Sequence, residues 1–367
     1  MFMKNEHKSS SKRILSAALA VVMLLIIGIP CYALEGETLE NSMFSITMPA
    51  DYSGIYVAEI EENRISVYDK ASREADCGGY AFGIIAFANP SDYAGIPGGR
   101  KIGELTTPDG MIYDIVLDFP TDVQWDVTKG EMPESYGKLY HSGEEIARQM
   151  TGNNGNVFVY GAGAKGNGLY GDILKKHITA VTEHWDANRL EAEDMSPMYA
   201  AITAGTDKDP LTVIGYAYYD VNGDGIEELL IGEIAEGDWK GVIYDVYTMV
   251  DRSPAHVVSG WSRNRYYAGE RAFLYREYSN GAMESGTAIY DLAPNSTELW
   301  PQVSFEMNGY DNPDQPWTIV YGSGTTENDR LHVTEEEWAE RKATFDDIMR
   351  FDYTPLFNAA TQQTENS

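Results

Sequence analysis

The sequence predicts an α+β fold in two parts: an N-terminal antiparallel sheet with packed helices, then a mainly antiparallel β domain with a terminal helix. Apolar residues first alternate along short segments, which is typical of half-buried strands. They recur at helical spacing within residues 134–185, and strand-like segments return from about residue 213 to residue 305. Helices that follow strands in this way pack on a mainly antiparallel sheet.

The first part begins with strands that turn-forming residues separate. Residues 44–48 alternate in polarity and stop at Pro49, and residues 90–99 form a loop rich in proline and glycine. The other predicted elements are strands at 65–68, 80–85 and 112–117, a helix over 134–150, a strand at 157–160 and a helix over 169–185. Together they predict an α+β domain over residues 34–186.

The second part is dominated by predicted strands. Residues 187–210 are acidic and broken by Pro197 and Gly205, so they predict a linker with a short helix. Residues 211–358 are interpreted as a β-rich domain. Its clearest strands are at 213–219, 228–231, 241–250, 272–278 and 287–292.

One helix closes the second part. Thr334, followed three residues later by Glu337, forms a capping box that starts this helix. Residues 359–367 are interpreted as a polar tail. The sequence shows no internal repeat.

The first 33 residues predict export. Basic side chains precede an apolar run at residues 14–29, and the small residues after Pro30 resemble a cleavage site that ends at Ala33. We therefore interpret residues 1–33 as a signal peptide and expect a secreted or extracellular protein with no membrane span after cleavage. The alternative is an uncleaved anchor, because the run approaches the ~17 residues that a spanning helix needs.

The net charge limits the classes of partner. The chain has a formal net charge of −30, and residues 1–33 carry four basic side chains and one acidic side chain. Removal of this +3 segment takes the net charge from −30 to −33. Such a chain repels nucleic-acid phosphates and anionic lipid surfaces, so we expect neither as a partner. It attracts divalent cations.

Residues 220–228, DVNGDGIEE, carry the most informative pattern. Counted from Asp220, side-chain oxygens fall at positions 1, 3 and 5 through Asp220, Asn222 and Asp224, with Gly225 at the sharp turn of position 6. The carbonyl of Ile226 and the carboxylate of Glu228 complete an all-oxygen set. A hard cation requires this arrangement, so the sequence predicts a calcium site. Its ligands are Asp220, Asn222, Asp224, Ile226 and Glu228.

This loop is not an EF-hand. Position 12 of an EF-hand is a bidentate Glu, and here that position is Ile231. The flanking residues predict strands, so the loop joins two strands and Glu228 supplies the closing carboxylate. The alternative is a metal-free hairpin held by Asx turns, because Asn-Gly and Asp-Gly form turns by themselves. We favour calcium, because three carboxylates in one turn would repel one another without a cation.

Two resemblances add to these patterns. Residues 216–232, YAYYDVNGDGIEELLIG, resemble the strand–calcium loop–strand of FG-GAP and VCBS-type repeats of exported bacterial and cell-surface proteins. They are more similar still to a single-copy version in secreted proteins of Gram-positive anaerobes, most of unknown function. This resemblance implies the same five ligands, with Ile226 acting through its carbonyl. One copy is too few for a propeller, so none is expected.

The N-terminal half is similar to PsbP-like α/β sandwiches. The similarity rests on a strand that ends in Pro49, a Tyr-rich meander, Gly78-Gly79 before an apolar strand, and helices late in the domain. No residue motif anchors it, so it implies a fold by analogy and nothing about activity.

Three further features are interpreted as structural. Glycines at 161–166 lie between a strand and a helix, as in a dinucleotide-binding loop, but no second parallel strand with a terminal acid follows, so we predict a turn. Cys77 has no nearby His or second thiol and is interpreted as a small buried apolar residue. His177 and His184 lack zinc-site spacing and are interpreted as solvated helix residues.

The predicted function is exported, calcium-binding and non-catalytic, with a cell-envelope or extracellular macromolecule, such as a cell-surface glycan or protein, as partner. One alternative is a secreted hydrolase acting on glycan or peptide, recognised by two cleft carboxylates with opposed pKa shifts. Another is a carbohydrate-binding module with exposed aromatic rings. We interpret four C-terminal tryptophans as core residues instead: Trp239, Trp261, Trp300 and Trp317.

Overall fold

The computed structural model describes residues 36–365, so the predicted signal segment at residues 1–33 lies outside the described residues. Within the described range the named strands pair antiparallel throughout. The predicted mixture of helices and antiparallel sheets, with a large C-terminal sheet, is confirmed. None of the described helices combines the length and apolar character that crossing a membrane requires.

Two sheets form the first part of the described chain. Their strands are β1 (Glu37–Glu40), β2 (Phe44–Met48), β3 (Tyr56–Ile60), β4 (Arg64–Asp69), β5 (Tyr80–Phe87), β6 (Gly99–Thr106), β7 (Ile112–Asp118), β8 (Thr151–Gly152) and β9 (Val157–Tyr160). A small sheet has the order β1-β2-β8, and a six-stranded sheet has the order β3-β4-β5-β7-β6-β9. The antiparallel pairing of β6 with β9 places the glycine turn after β9 outside any parallel β–α–β unit.

Two helices belong to this first part, α1 (Lys70–Glu74) and α2 (Glu134–Arg148). The buried residues of α2 recur every three or four positions, so they share one face of the helix. Tyr136 and Leu139 on that face pack in one core with Ile65 of β4 and Ile84 of β5. The helix therefore covers the six-stranded sheet, as the sequence predicts.

The second part contains an eleven-stranded sheet. Three helices precede it: α3 (Gly171–Thr182), α4 (Ala187–Ala192) and α5 (Met198–Ala204). Its strands are β10 (Ile214–Tyr219), β11 (Glu228–Glu233), β12 (Ile243–Val250), β13 (Ser253–Ser259), β14 (Asn264–Ala268), β15 (Leu274–Gly281), β16 (Glu284–Leu292), β17 (Leu299–Asn308), β18 (Trp317–Tyr321), β19 (Arg330–His332) and β20 (Thr354–Pro355). The order is β19-β18-β17-β16-β15-β14-β12-β11-β10-β20, and β13 pairs with β12.

Two helices near the end of the described chain complete the second part, α6 (Glu335–Ala343) and α7 (Leu356–Glu365). The predicted capping box at the start of α6 is confirmed. The Thr334 side chain accepts from the Glu337 N–H, and the Glu337 carboxylate accepts from the Thr334 N–H. Where the sequence predicts a polar tail, α7 continues to Glu365, and its Leu356 and Ala359 are buried in the core.

Strands β11 and β12 of the large sheet are buried on both faces. On β11, Leu229 and Ile231 face one core and Leu230 between them faces another, because successive strand side chains point in opposite directions. The helices before the sheet contribute to the first of these cores. Leu190 of α4 and Tyr199 of α5 are each 1% exposed there, so residues within the predicted linker 187–210 pack in the same core as Leu229 and Ile231.

Two interpretations from the sequence are wrong in the same way, because burial depends on distant partners. His177 is 0% exposed rather than solvated, since α3 packs that face on the large sheet, where its Nε2 lies 3.0 Å from the Tyr247 hydroxyl. Three tryptophans predicted in the core occupy turns or solvent-facing positions and are 41–51% exposed: Trp239, Trp261 and Trp300. Trp317 is partly buried and packs against the core, and Cys77 is half-buried.

The buried His177 makes acid stability testable. Burial lowers the pKa of His177 from its usual 6.5 to about 4, against the opposing charge of Asp245. The unfolded chain therefore binds this proton more readily, so we expect the free energy of unfolding to fall as pH drops from about 6.5 towards 4, by at most about 3 kcal/mol. Urea unfolding across this pH range should show that the free energy of unfolding falls less in His177→Gln than in wild type.

The same substitution at the exposed His184 controls for removal of a histidine. An identical acid slope in wild type and His177→Gln would contradict the prediction.

Candidate metal site

The predicted calcium loop connects the hairpin strands β10 and β11. The register pairs Tyr219 with Glu228, so residues 220–227 form the connection and Glu228 is the first residue of β11. The apolar runs on both sides pair as strands, which is the strand–loop–strand arrangement that the sequence predicts. Gly223 and Gly225 have φ values of 76° and 89°, which favour glycine at both positions.

Side-chain oxygens organise the backbone of the loop. The Asp220 carboxylate accepts from the N–H groups of Gly223 at 2.7 Å and Gly225 at 3.0 Å. Asn222 Oδ1 accepts from the Asp224 N–H at 3.0 Å, and Asp224 Oδ1 accepts from the Ile226 N–H at 2.8 Å. These Asx-type bonds hold the turn and use part of the acceptor capacity of each side chain.

Glu228 closes the loop from inside the protein. Its side chain is fully buried, and its Oε2 accepts from the Val221 N–H at 2.6 Å. Its Oε1 accepts from the Thr248 hydroxyl on β12 at 2.9 Å. A buried carboxylate with two neutral donors still lacks a countercharge.

The three acids of the loop interact through their charges. Burial raises the pKa of Asp220, and burial together with the charge of Asp220 raises the pKa of Asp224 to about 7. Burial and the nearby charge of Asp224 raise the pKa of Glu228 well above its usual value. None of the ion pairs among the described residues involves these three carboxylates. The loop therefore concentrates buried negative charge.

The five predicted ligands differ in position. Asp220 and Asn222 are half-buried, Asp224 and Glu228 are buried, and Ile226 packs its side chain into the core at 8% exposure. Within residues 36–365, no group of three or more His, Cys, Asp or Glu side chains is arranged to hold a metal ion. The structure thus brings the three acids into electrostatic contact without forming a closed cage.

The loop also joins the two parts of the chain. The Lys101 N–H on β6 donates to the Asp224 carbonyl at 2.7 Å, and the Glu227 N–H donates to the Ala164 carbonyl at 2.8 Å. Glu227 Oε2 accepts from the Gly166 N–H at 3.0 Å. The glycine turn at 161–166 therefore packs against the loop, which places the loop between the six-stranded and the eleven-stranded sheets.

A buried charge cluster lies beside this junction. Lys101 Nζ is 2.8 Å from Asp114 Oδ1 and 3.0 Å from Glu104 Oε1. Arg252, from the turn between β12 and β13, places a guanidinium nitrogen 3.1 Å from Asp114 Oδ2. Asp114 is 0% exposed, and two positive and two negative charges balance in the cluster. The sequence analysis missed these residues, although a lone acid in the apolar run of β7 is a usable signal.

A second missed cluster centres on the buried Asp245 of β12. Its Oδ2 accepts from the Tyr199 hydroxyl at 2.7 Å, and its Oδ1 lies 2.5 Å from Ser259 Oγ and 3.3 Å from His256 Nε2. Ser259 Oγ is 3.0 Å from the same His256 nitrogen. A Ser-His-Asp triad places Ser and Asp on opposite ring nitrogens, so this arrangement differs from a triad. It links α5 to strands β12 and β13.

Comparisons with known proteins return no relative of this chain: no protein-family model, curated protein or solved structure matches it. The resemblance of residues 216–232 to FG-GAP and VCBS-type repeats, and that of the N-terminal half to PsbP-like sandwiches, remain predictions. The residues of the site are therefore the basis for a functional proposal.

Proposed function

We propose that residues 220–228 bind Ca²⁺ and that the bound ion fixes the junction between the two parts of an exported scaffold protein. The observation that carries the proposal is the concentration of three carboxylates, two of them buried, in one turn. Burial raises the pKa of all three carboxylates. The charge of Asp220 also raises the pKa of Asp224, and the charge of Asp224 raises that of Glu228. A divalent cation would neutralise this charge and favour the ionised forms.

The donor set fits a hard cation in its chemistry. Asp220, Asn222, Asp224 and Glu228 offer only oxygen acceptors to a cation, and the carbonyl of Ile226 is one more. These five residues would hold the ion. The ion would supply charge neutralisation and folding free energy, with no chemical step of its own.

A structural role follows from the location of the loop. Its backbone bonds to Lys101 and Ala164 on the first part of the chain, and its flanking strands β10 and β11 belong to the large sheet. Stiffening this loop would stabilise the contact between both parts. We propose that the scaffold is non-catalytic and binds a cell-envelope or extracellular macromolecule; the geometry at Asp245, unlike that of a triad, supports this choice over a serine hydrolase.

The calcium proposal predicts a gain in stability that depends on Asp224. At calcium concentrations about a hundred times its dissociation constant, wild type should gain about 3 kcal/mol in the free energy of unfolding. Asp224→Asn should lose most of that gain, because it removes one buried charge from the ligand set. In a calcium chelator the same variant should be at least as stable as wild type, because a neutral amide ends the repulsion with Asp220. Thermal and urea unfolding measure both effects.

Asp207→Asn is the matched control, since Asp207 is an exposed acid in the turn before β10. It should keep the full calcium effect. A wild-type unfolding curve that calcium leaves unchanged would contradict the proposal and favour the metal-free hairpin held by Asx turns.

A further inference from the structure

A groove runs beside the loop, between the two parts of the chain. It has a volume of about 370 Å³ and is lined by the segment 93–100, by Asn222, Gly223 and Asp224 of the loop, and by Pro294 and Trp300. That volume falls in the range of about 300–1,000 Å³ that is typical of ligand sites, and clefts between structural units are a common place for them. The proposed calcium site uses only the loop residues Asn222 and Asp224 of this groove.

An exposed aromatic ring stands at the groove. Trp300 on β17 is 48% exposed, which is unusual for so large an apolar side chain. Trp239, by contrast, has the Arg265 guanidinium 4.8 Å from its ring centre. An exposed indole ring can stack against the C–H face of a ring-shaped ligand.

The segment 93–100 adds polar groups to the groove. Gly95 and Gly98 are exposed, and a Cβ added at Gly95 would meet no atom within 4 Å, so the surface at Gly95 is open. Asn222 adds an amide at the loop, one of whose N–H groups is 3.3 Å from Asp224 Oδ2. An exposed aromatic ring that shares a groove with peptide and amide groups matches the C–H faces and hydroxyl groups of a sugar ring.

The charge of the protein narrows the class of sugar. A chain with a net charge of −30 repels anionic polymers, and the guanidinium of Arg100 in the groove lining already forms an ion pair with Glu144. Uronic acids and phosphorylated glycans are therefore disfavoured relative to neutral ones. Another exposed tryptophan, Trp261, lines a cavity together with Glu191 and Asp194, and these two acids suit a cation better than a neutral sugar ring.

We propose that the groove between residues 93–100, the loop and Trp300 binds a neutral glycan, with the Trp300 indole stacked on one sugar ring. This deepens the proposed function, on which it rests in one respect: the loop that would hold calcium forms one wall. A bound ion would keep Asn222 and Asp224 in fixed positions and so preorganise that wall.

The test uses the full chain with cellohexaose and hexa-N-acetylchitohexaose as probes. Titration calorimetry and tryptophan fluorescence measure the binding. Wild type should bind one of these neutral hexasaccharides. Trp300→Ala should weaken that binding by about tenfold or more, as truncation of an aromatic anchor does at binding hot spots. The same variant should keep the calcium-dependent gain in stability, which shows that it is folded and that the loop is intact.

Trp261→Ala is the matched control, because Trp261 is 51% exposed and also lines a cavity. It should bind the sugar like wild type. Wild type that binds neither hexasaccharide, Trp300→Ala that binds normally, or loss of binding in Trp261→Ala alone would overturn the inference.

Measurement in calcium and in chelator separates the two proposals. Sugar binding that depends on Trp300 and persists in chelator, in a protein that calcium does not stabilise, would support the glycan groove and overturn the calcium site.

Discussion

Replacement of Gly225 by Ala is expected to destabilise the protein by about 3 kcal/mol or more. Gly225 has a φ of 89°, where a Cβ is strained, and that Cβ would lie 2.2 Å from the carbonyl oxygen of Lys101 and 2.8 Å from its backbone nitrogen. The colliding atoms belong to the backbone of β6, which cannot rotate away as a side chain can. Relief of the clash therefore requires the loop and the first part of the chain to separate.

Gly223→Ala provides the matched control in the same loop. Gly223 also has a positive φ, 76°, but the nearest atom to an added Cβ is 3.9 Å away, on Ala272. This variant should cost only the strain of the left-handed conformation, about 1–2 kcal/mol. Urea unfolding of both variants in chelator measures the difference. Equal destabilisation would show that close packing of the loop on Lys101 does not stabilise the protein.

Asp114→Ala is expected to cost about 3–5 kcal/mol, because it leaves buried positive charge without its partner. Asp114 is 0% exposed and accepts from Lys101, Arg252 and the Tyr93 hydroxyl. Its removal changes the cluster from balanced charge to a net charge of +1, with the Lys101 side chain only 2% exposed. Because Arg252 comes from the second part of the chain, the loss should also loosen the junction.

Glu74→Gln is the control for a solvated pair. Glu74 Oε1 lies 3.9 Å from Lys70 Nζ, and both side chains are largely exposed. Loss of this ion pair should therefore cost at most about 1 kcal/mol in the free energy of unfolding. The free energy of unfolding by urea, measured at constant salt, compares the two variants. A cost for Asp114→Ala no greater than that for Glu74→Gln would show that the cluster adds nothing to stability.

A segment was predicted correctly from the sequence where the interactions that shape it join residues close together in the chain. The pattern of Asp220, Asn222 and Asp224 predicted a strand–loop–strand unit, because Asx turns and alternating strand residues act within a few positions. Thr334 with Glu337 predicted the start of α6 for the same reason. The burial of His177 and the exposure of three tryptophans were predicted wrongly, because the residues that pack against a side chain can lie far from it in sequence.

The charge clusters illustrate the other limit. Asp114 and Asp245 each stand as a charged residue within an apolar stretch of a strand, so the sequence could have marked them as buried. Lys101 lies beside Arg100 in β6 and carries no such signal. Their partners could not be found this way. Arg252 meets Asp114 across 138 positions of the chain, and Tyr199 meets Asp245 across 46, because the folding of sheets and helices sets these distances.

Local chemistry alone thus specifies an antiparallel α+β chain, an oxygen-rich loop between two strands and a strongly acidic protein, since each depends on neighbouring residues or on composition. Packing between distant segments determines the rest. It buries Asp224 and Glu228 of the loop, assembles the Lys101–Asp114–Arg252 cluster, and leaves Trp300 exposed beside the loop. Burial converts ordinary carboxylates into groups that require a countercharge, and that requirement depends on contacts far apart in sequence.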